Sequence, residues 1–159
     1  MTMLRPATPE DLDFVCDLQA RPENHALIAE DGRDRLLGYM SGTSEQLLIW
    51  ARQDKPEGFV LLSGNLHRGG KVELRRLALD EPGRGHGQPL LADLVSYVFD
   101  TIGAYRLWFD VASDNKRALR AYERAGFVHE GTLRKHWLRR TGDKVDLELY
   151  GMLEEDRPR

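Results

Sequence analysis

A glycine-bearing loop between a strand pattern and a long helix pattern is the feature that most constrains the fold of this chain. Residues 72–79 have the apolar pattern of a strand, and apolar residues from Leu90 to Ile102 recur at the spacing of one helix face. The loop between them, 84–89, reads Arg-Gly-His-Gly-Gln-Pro. Backbone N–H groups converge at such a helix N-terminus, where the helix dipole favours an anion. The loop therefore predicts a binding site for a phosphorylated ligand, although its glycines could also serve only the turn.

Two common phosphate-binding motifs do not match this loop. No Gly-Lys-Ser/Thr follows it, so it is not a nucleoside-triphosphate loop. Pro89, and the lack of an acidic residue at the end of a second strand about 20 residues further on, exclude the full dinucleotide fingerprint. The class of phosphorylated ligand must therefore be inferred from other parts of the chain.

The remaining patterns predict a mixed sheet in a single domain, 1–159. Strands are predicted at 47–52, 59–63, 72–79, 106–112, 127–134 and 145–152, and helices at 9–20, 90–102 and 116–125. Residues 55–58, Lys-Pro-Glu-Gly, predict a turn. This order indicates an α/β (α+β) sheet with antiparallel hairpins and one parallel crossover. Residues 21–45 form a long polar connection with one short helical candidate from Asn24 to Glu30, and the residues through Arg159 are expected to form a frayed charged tail.

Composition excludes several classes of protein. A net charge of -3 argues against nucleic acid as the main partner. No apolar run approaches the roughly 20 residues that cross a bilayer, and residues 1–6 lack the apolar core of a signal peptide. The single cysteine, Cys16, suits a reducing compartment. The five histidines show no metal-ligand spacing. We therefore expect a cytoplasmic protein that binds neither a membrane nor a metal.

A second motif follows the next predicted strand. Asn115, Ala118, Tyr122 and Gly126-Phe127 have the spacing Asn-x-x-Ala-x-x-x-Tyr-x-x-x-Gly-Phe. With Arg84-x-x-Gly-x-Pro in the loop, this pattern resembles the GNAT superfamily of acyl-CoA-dependent N-acyltransferases. The resemblance covers residues 72–152 well, residues 4–20 loosely and residues 21–45 not at all.

The resemblance implies a GNAT-type fold. Such a fold has a mixed, mostly antiparallel sheet of six or seven strands with about four helices. The sheet would splay open between the strand that ends at Leu79 and the strand at 106–112, and acetyl-CoA would lie in the split. The implied activity is transfer of the acetyl group to a primary amine by direct attack, through a tetrahedral intermediate.

The resemblance also implies roles for individual residues. A backbone N–H within Leu77 to Leu79 would polarise the thioester carbonyl, Asn115 would bind the pantetheine arm, and Tyr122 would protonate the leaving thiolate. Pro89 replaces the glycine or alanine of the family and removes one donor from the pyrophosphate site. The implied contacts to the cofactor are Leu77, Leu79, Arg84, Gly85, His86, Gly87, Gln88 and Asn115.

The chemistry requires a base, because an alkyl amine with a pKa of about 10.4 is almost wholly protonated at neutral pH. Glu73 is the candidate, since it lies 11 residues ahead of Arg84, where histone-acetylating members of the family place their glutamate base. Other interpretations stay open. Glu73 could be a surface carboxylate paired with Arg75, Asn115 could be only a helix cap, and Tyr122 only a half-buried aromatic residue.

The sequence constrains the identity of the acceptor amine less than that of the cofactor. Residues 130–134, with Asp146 and Tyr150, resemble the branch of the family that acetylates ribosomal-protein N-termini, which favours a protein α-amine. Acidic residues in 21–45, such as Glu30 and Asp31, could instead attract a small cationic amine or a polyamine. A non-catalytic module that binds acyl-CoA is the alternative to an enzyme, and a homodimer is possible in either case.

Overall fold

The computed structural model describes residues 1–158, which form one seven-stranded sheet flanked by helices. Short 3-10 turns at Pro9–Asp11, Pro22–Asn24 and Glu154–Asp156 and a π-helical turn at Tyr97–Ile102 complete the regular structure of this range. The strands and α-helices are, in order, β1 (Thr2–Pro6), α1 (Leu12–Ala20), α2 (Arg33–Ser41), β2 (Glu45–Arg52), β3 (Lys55–Gly64), β4 (Lys71–Leu79), α3 (Gly87–Ser96), β5 (Arg106–Ala112), α4 (Lys116–Arg124), β6 (Val128–Leu138) and β7 (Lys144–Leu153).

The strand order in the sheet is β1-β2-β3-β4-β5-β7-β6. Every neighbouring pair is antiparallel except β4 and β5. This parallel pair is short, because only 71–73 of β4 pair with 106–108 of β5. Beyond Glu73 the two strands separate, so the sheet is splayed between β4 and β5 as the family resemblance implies.

A bulge in β4 accompanies this separation. Leu74 lies opposite Leu62 of β3 and Arg76 lies opposite Leu61, so Arg75 has no partner on β3. A bulge bends its strand and changes which side chains face each side of the sheet. Arg75 and Arg76 therefore share one face, and the second half of β4 follows β3 while it diverges from β5.

Two apolar clusters cover the two faces of the sheet. One lies under α3, and its buried residues include Leu90, Leu94 and Val98 of the helix together with Val60, Val72 and Leu107 of the strands. The other lies under α1 and α2, and includes Leu12, Val15, Leu18, Leu36, Ile49, Phe59 and Leu61. The first cluster joins the two halves of the sheet, because it includes residues of both β4 and β5, whereas the strand residues of the second belong only to β2, β3 and β4.

Three predictions for the first half of the chain were wrong. The turn of the β2–β3 hairpin is Gln53-Asp54, where φ is 52° and 65°, and residues 55–58 belong to β3. Two central residues with positive φ match the twist of the flanking strands, so this short turn replaces the one predicted around Pro56. Residues 24–30 form turns after Pro22–Asn24 instead of a helix, and β1 was not predicted at all.

The helix of the polar connection lies later, at Arg33–Ser41. Its sequence is mostly polar and contains Gly38, which weakens a helix on its own. Leu36 and Tyr39 are buried against the sheet, so tertiary packing stabilises α2. Periodicity could not show this, because only two side chains of the helix are buried.

The C-terminus is more ordered than predicted. Arg157 forms an ion pair with Asp100 at 2.7 Å and lies over the ring of Phe99 at 5.6 Å. The tail therefore packs against the end of the long helix up to Pro158, and Arg159 lies outside the described residues. Among residues 1–158 we find no helix with the length and apolar character needed to cross a membrane.

Candidate active site

The split between β4 and β5 opens into a cavity of about 320 Å³. Its walls are residues 73–77 of β4, residues 109–112 of β5, Asn115, Ala118 and Tyr122 around α4, and Asn24 with residues 27–29 of the α1–α2 connection. Trp137 of β6 and Leu147 of β7 complete it. The cavity thus brings Glu73 together with Asn115 and Tyr122, which lie on a later element of the chain.

The edge of β4 that faces this cavity carries free backbone groups. The Asp80 N–H donates to the Glu57 carbonyl on the β3 side at 2.9 Å. Along an extended strand, successive N–H groups point to opposite edges. The N–H groups of Leu77 and Leu79 therefore point away from β3, toward the side from which β5 has separated. Leu77 lines the cavity, so its N–H is available to donate to a carbonyl oxygen there, whereas Leu79 is not among the lining residues.

The glycine loop leads from β4 into α3. Gly85 has a φ of +79°, a conformation in which a side chain would be strained, and α3 begins at Gly87. A Cβ atom at either glycine would meet no atom within 4 Å, so the surface above the loop is open. The first intrahelical bond is Leu90 N–H to His86 carbonyl at 3.1 Å. The N–H groups of Gly87 and Gln88 are thus free for an anion, whereas Pro89 has none.

The side chains of Arg84 and Gln88 in the loop make different contacts. The Arg84 side chain is 70% exposed and lies 3.5 Å from Glu81, which leaves it free to swing toward a phosphate. Gln88 donates its Nε2–H to the Ala121 carbonyl at 3.0 Å and so joins α3 to α4. This bond occupies the Nε2 group of Gln88 and leaves its backbone N–H for an anion.

His86 turns its ring away from the loop surface. The Arg52 guanidinium donates to its Nε2 at 2.7 Å, and Arg52 also pairs with Glu57 at 2.8 Å. Because a guanidinium only donates, Nε2 is the acceptor of this bond, and Nδ1 is buried 3.4 Å from Glu57 without a hydrogen bond. The His86 side chain thus holds the loop on the β2–β3 hairpin, and only its backbone faces a ligand.

Asn115 caps α4, which is one of the two roles that the sequence predicts for it. Its Oδ1 accepts from the Ala118 N–H at 3.3 Å. The amide also lines the cavity, so capping leaves its NH₂ group free to bind a ligand.

Tyr122 projects from the same helix against the ring of Phe109, with 4.2 Å between the ring centroids. Burial raises the pKa of the Tyr122 phenol to about 12. Its hydroxyl forms no hydrogen bond with any group of residues 1–158. The phenol is therefore protonated at neutral pH, lines the cavity, and has its hydrogen-bonding capacity unused.

Glu73 is half-buried in the cavity wall and receives a long hydrogen bond, 3.4 Å, from Ser63 Oγ. Desolvation raises the pKa of the Glu73 carboxyl, and the negative charge of Asp110 raises it further. The alternative pairing with Arg75 does not form, because the Arg75 guanidinium lies over the ring of Tyr39 at 5.8 Å. A carboxylate with a raised pKa and no cationic partner is suited to accept a proton.

Asp110 lies on the cavity floor from the β5 side. Its side chain is open to solvent through the groove but has protein atoms around it, and this desolvation raises the pKa of the Asp110 carboxyl. His136 on β6 opposes the rise. The inner cavity therefore contains two carboxylates, Glu73 and Asp110, on opposite sides of the split.

A buried ion pair next to this cavity was not predicted from the sequence. Arg76 is 5% exposed, pairs with Asp31 at 3.0 Å and donates to Gln19 Oε1 at 2.7 Å. Asp31 also accepts from the Tyr39 hydroxyl at 2.6 Å. Burial raises the pKa of Asp31, but the Tyr39 hydrogen bond and the Arg76 charge outweigh it and hold that pKa below its ordinary value. No local signal marks these partners, which lie on three different elements.

The sequence profile of the Acetyltransferase (GNAT) family matches residues 3–127. The chain belongs to this family. A curated relative, the spermidine N(1)-acetyltransferase of Vibrio cholerae, is 29% identical over 68 residues. That stretch covers 43% of this chain and 39% of the relative, so the match spans well under half of the relative's length.

Solved structures show the same GNAT fold over nearly the whole chain. The spermidine N-acetyltransferase of Vibrio cholerae in complex with CoA and spermine has a TM-score of 0.81 and 22% identity, and the match covers 98% of this chain and 96% of that one. Arabidopsis thaliana NAA60 in complex with acetyl-CoA has a TM-score of 0.77 and 19% identity, with 98% and 99% covered. The predicted splayed fold is thereby confirmed.

This GNAT chain has the groups that acetyl-CoA requires. The open surface above Gly85 and Gly87 would bind the pyrophosphate, and the cavity-facing N–H group of Leu77 would donate to the thioester carbonyl oxygen. Residues 1–158 contain no group of three or more His, Cys, Asp or Glu side chains that could hold a metal ion. The N–H groups of the glycine loop and of β4 fit a CoA thioester. Pro89 is the position at which the loop departs from the family pattern.

Proposed function

We propose that the protein transfers the acetyl group of acetyl-CoA to a primary amine. The observation that carries this proposal is the convergence of three groups on the cavity at the split. These groups are the N–H of Leu77 on the free edge of β4, the Tyr122 phenol and the Glu73 carboxylate. Membership of the acetyltransferase family supports the same activity.

Each of these groups has one role in the reaction. Glu73 accepts a proton from the acceptor ammonium, directly or through a water, so that the amine can form its bond to the acetyl carbon. Leu77 donates its N–H group to the oxygen that becomes negative as this bond forms. Tyr122 gives its proton to the sulfur as the carbon–sulfur bond breaks. The acceptor nitrogen loses its second proton through water as the amide forms, and this proton restores the phenol.

The proposed acceptor is a small amine with more than one positive charge. Glu73 and Asp110 provide two carboxylates in one cavity of about 320 Å³, and two carboxylates favour a second ammonium group on the acceptor. Similarity in sequence and in structure to the spermidine acetyltransferase of Vibrio cholerae supports a polyamine.

A protein α-amine is the second candidate, because residues 130–134 resemble the ribosomal N-terminal branch. In this fold, however, Glu130 pairs with Arg106 at 2.5 Å, and Thr132 donates to Glu148 at 2.5 Å. These residues do not line the cavity. Their surface pairs give the motif a structural role here, which favours the small amine.

Thiol release from acetyl-CoA, measured with spermidine, a monoamine and a short peptide with a free α-amine, tests the proposal. We expect the highest kcat/KM with spermidine. Turnover of the peptide alone would favour the protein α-amine. Binding of acetyl-CoA by calorimetry without turnover of any amine would favour the non-catalytic module, and no binding at millimolar acetyl-CoA would remove both.

We also propose that the protein forms a homodimer through an edge of its sheet. Strand β6 is an edge strand, and Val128 and Leu138 on it are 52% and 63% exposed. Exposed apolar side chains on an unpaired edge favour strand pairing between copies. Light scattering after size exclusion measures the mass of the particle, and a monomer at micromolar concentration would contradict the proposal.

A further inference from the structure

One wall of the cavity has no helix or strand to hold it in place. Asn24 and residues 27–29 face the cavity, but residues 25–32 between the Pro22–Asn24 turn and α2 are irregular. The Asn24 amide donates to the Leu18 carbonyl at 2.7 Å, which fixes the start of the segment to α1. We call residues 25–30 the acceptor wall. Other contacts must hold this segment in place.

Arg140, in the connection between β6 and β7, supplies much of that support. Its guanidinium donates to the carbonyls of His25 at 3.3 Å and Ile28 at 3.3 Å, and to that of Gln19 at 3.1 Å. It also forms an ion pair with Glu30. One side chain thus holds both ends of the acceptor wall, although it lies about 110 residues away in the chain.

Arg139 connects the same wall to the opposite side of the cavity. It is 8% exposed and donates to the Ala26 carbonyl at 3.0 Å. It also bonds to Asp143 within its own connection and pairs with Asp114 at 3.0 Å. Asp114 directly precedes Asn115, the cap of the helix that carries Tyr122. Arg139 therefore connects the acceptor wall, the β6–β7 connection and the start of α4.

We propose that Arg139 and Arg140 are positioning residues that set the width of the acceptor end of the cavity, an inference that rests on the proposed function. Neither side chain lines the cavity, so neither contacts an acceptor directly. The acceptor wall approaches from the β4 side, and Asp114 belongs to the β5 side. Because the two arginines bridge these sides, they hold the wall at a fixed distance from Glu73 and Asp110.

Different residues hold the acceptor wall and the glycine loop, so a role at the acceptor end can be distinguished from general support of the fold. The loop that binds pyrophosphate is held by His86 and Gln88, which contact neither arginine. Loss of the arginines should therefore affect the acceptor and leave acetyl-CoA binding unchanged. If the arginines stabilised the whole fold, their loss would weaken the binding of both the acceptor and acetyl-CoA.

The test compares Arg140→Ala and Arg140→Lys with Arg134→Ala. Arg134 is an exposed residue of β6 with no hydrogen bond or ion pair to the described part of the chain, which makes it a matched control. For Arg140→Ala we expect amide exchange in residues 25–30 to accelerate on the order of tenfold or more, because several charge-assisted hydrogen bonds are lost. The KM for spermidine should rise on the order of tenfold, while the Kd for acetyl-CoA stays within about twofold.

Arg140→Lys should be intermediate, because one ammonium group cannot reach four acceptors in the planar arrangement of a guanidinium. Unchanged exchange in residues 25–30 would overturn the proposal, as would equal losses of affinity for spermidine and acetyl-CoA. If the wild-type protein acetylates no amine, the proposed function fails separately. Exchange and the calorimetric affinity for spermidine then decide the role of the arginines without turnover.

Discussion

Glu73 of β4 lies opposite Trp108 of β5 in the last paired position before the two strands separate. This register places the Glu73 carboxylate at the narrow end of the split, beside Asp110 two residues further along β5. Side chains at positions i and i+2 of a strand point to the same face, so Asp110 shares the face of Trp108. The position accounts for both the desolvation of Glu73 and the like charge near it.

Glu73→Gln should lower kcat by about 10²- to 10⁴-fold, because the amide cannot accept the proton of the acceptor ammonium. The Kd for acetyl-CoA, measured by calorimetry, should be unchanged, since Glu73 lies away from the glycine loop. A kcat within a factor of two of the wild type would remove Glu73 from the reaction.

The pH profile gives a second test of Glu73. A base acts when deprotonated, so kcat/KM should rise with pH through the pKa of Glu73, which lies above its ordinary value of 4.5. Asp110→Asn removes the nearby like charge, and the acid limb should then move to lower pH. An acid limb that does not move would contradict the coupling between the two carboxylates.

The same raised pKa has a consequence for stability. The folded state disfavours the Glu73 carboxylate, so its contribution to stability decreases as pH rises from 4.5 through the folded pKa. Glu73→Gln should therefore raise Tm at pH 7 while leaving it almost unchanged at pH 4. Thermal unfolding at the two pH values measures this, and a lower Tm at pH 7 would contradict it.

Tyr122→Phe should lower turnover and leave the fold intact. The hydroxyl forms no hydrogen bond in residues 1–158, so its loss should change the free energy of unfolding by less than about 1 kcal/mol. The aromatic contact with Phe109 is retained. Steady-state kinetics and urea unfolding give the two values. Turnover equal to the wild type would show that another group protonates the thiolate.

Pro89→Ala should strengthen acetyl-CoA binding. The substitution restores a backbone N–H in the first turn of α3, and a hydrogen bond to a charged group contributes about 1.5–3 kcal/mol. We expect the Kd for acetyl-CoA to fall on the order of tenfold. The Kd for pantetheine, which carries no phosphate, should be unchanged. An equal effect on both ligands would place the new N–H away from the pyrophosphate.

Asp31→Asn should destabilise the protein by about 3–5 kcal/mol at pH 7, because it leaves the buried Arg76 charge without its partner. The pKa of Asp31 is held below its ordinary value of 3.8, so the stability that the wild type gains from this pair is lost as pH falls through that lowered pKa. Urea unfolding from pH 7 down to pH 3 measures both effects. Asp34→Asn, on the exposed side of α2, is the control.

Periodicity and turn chemistry predicted the second half of the chain well. Strands β4, β5 and β7, the long helix, and the cap at Asn115 follow the sequence because local preference and burial pattern agree there. Gly126, with a φ of +100°, ends α4 as predicted. The spacing from Asn115 to Phe127 also predicted which helix would carry Tyr122.

The first half was predicted less well, for a physical reason. Helix α2 is stabilised by the burial of Leu36 and Tyr39, and β1 by pairing with β2 at the sheet edge. Both depend on partners that are distant in the sequence. A polar helix with Gly38 in it has no periodic signal to detect.

The class of fold, the glycine loop and the residue types suited to acyl transfer could all be predicted from the sequence, because each depends on local backbone preference or spacing. The surroundings of these features depend on tertiary packing. Packing places the His86 ring against Arg52, brings Asp110 beside Glu73, and pairs Arg139 and Arg140 with a segment more than 100 residues away. Desolvation and long-range pairing arise only when distant elements pack together, so no local pattern could have shown them.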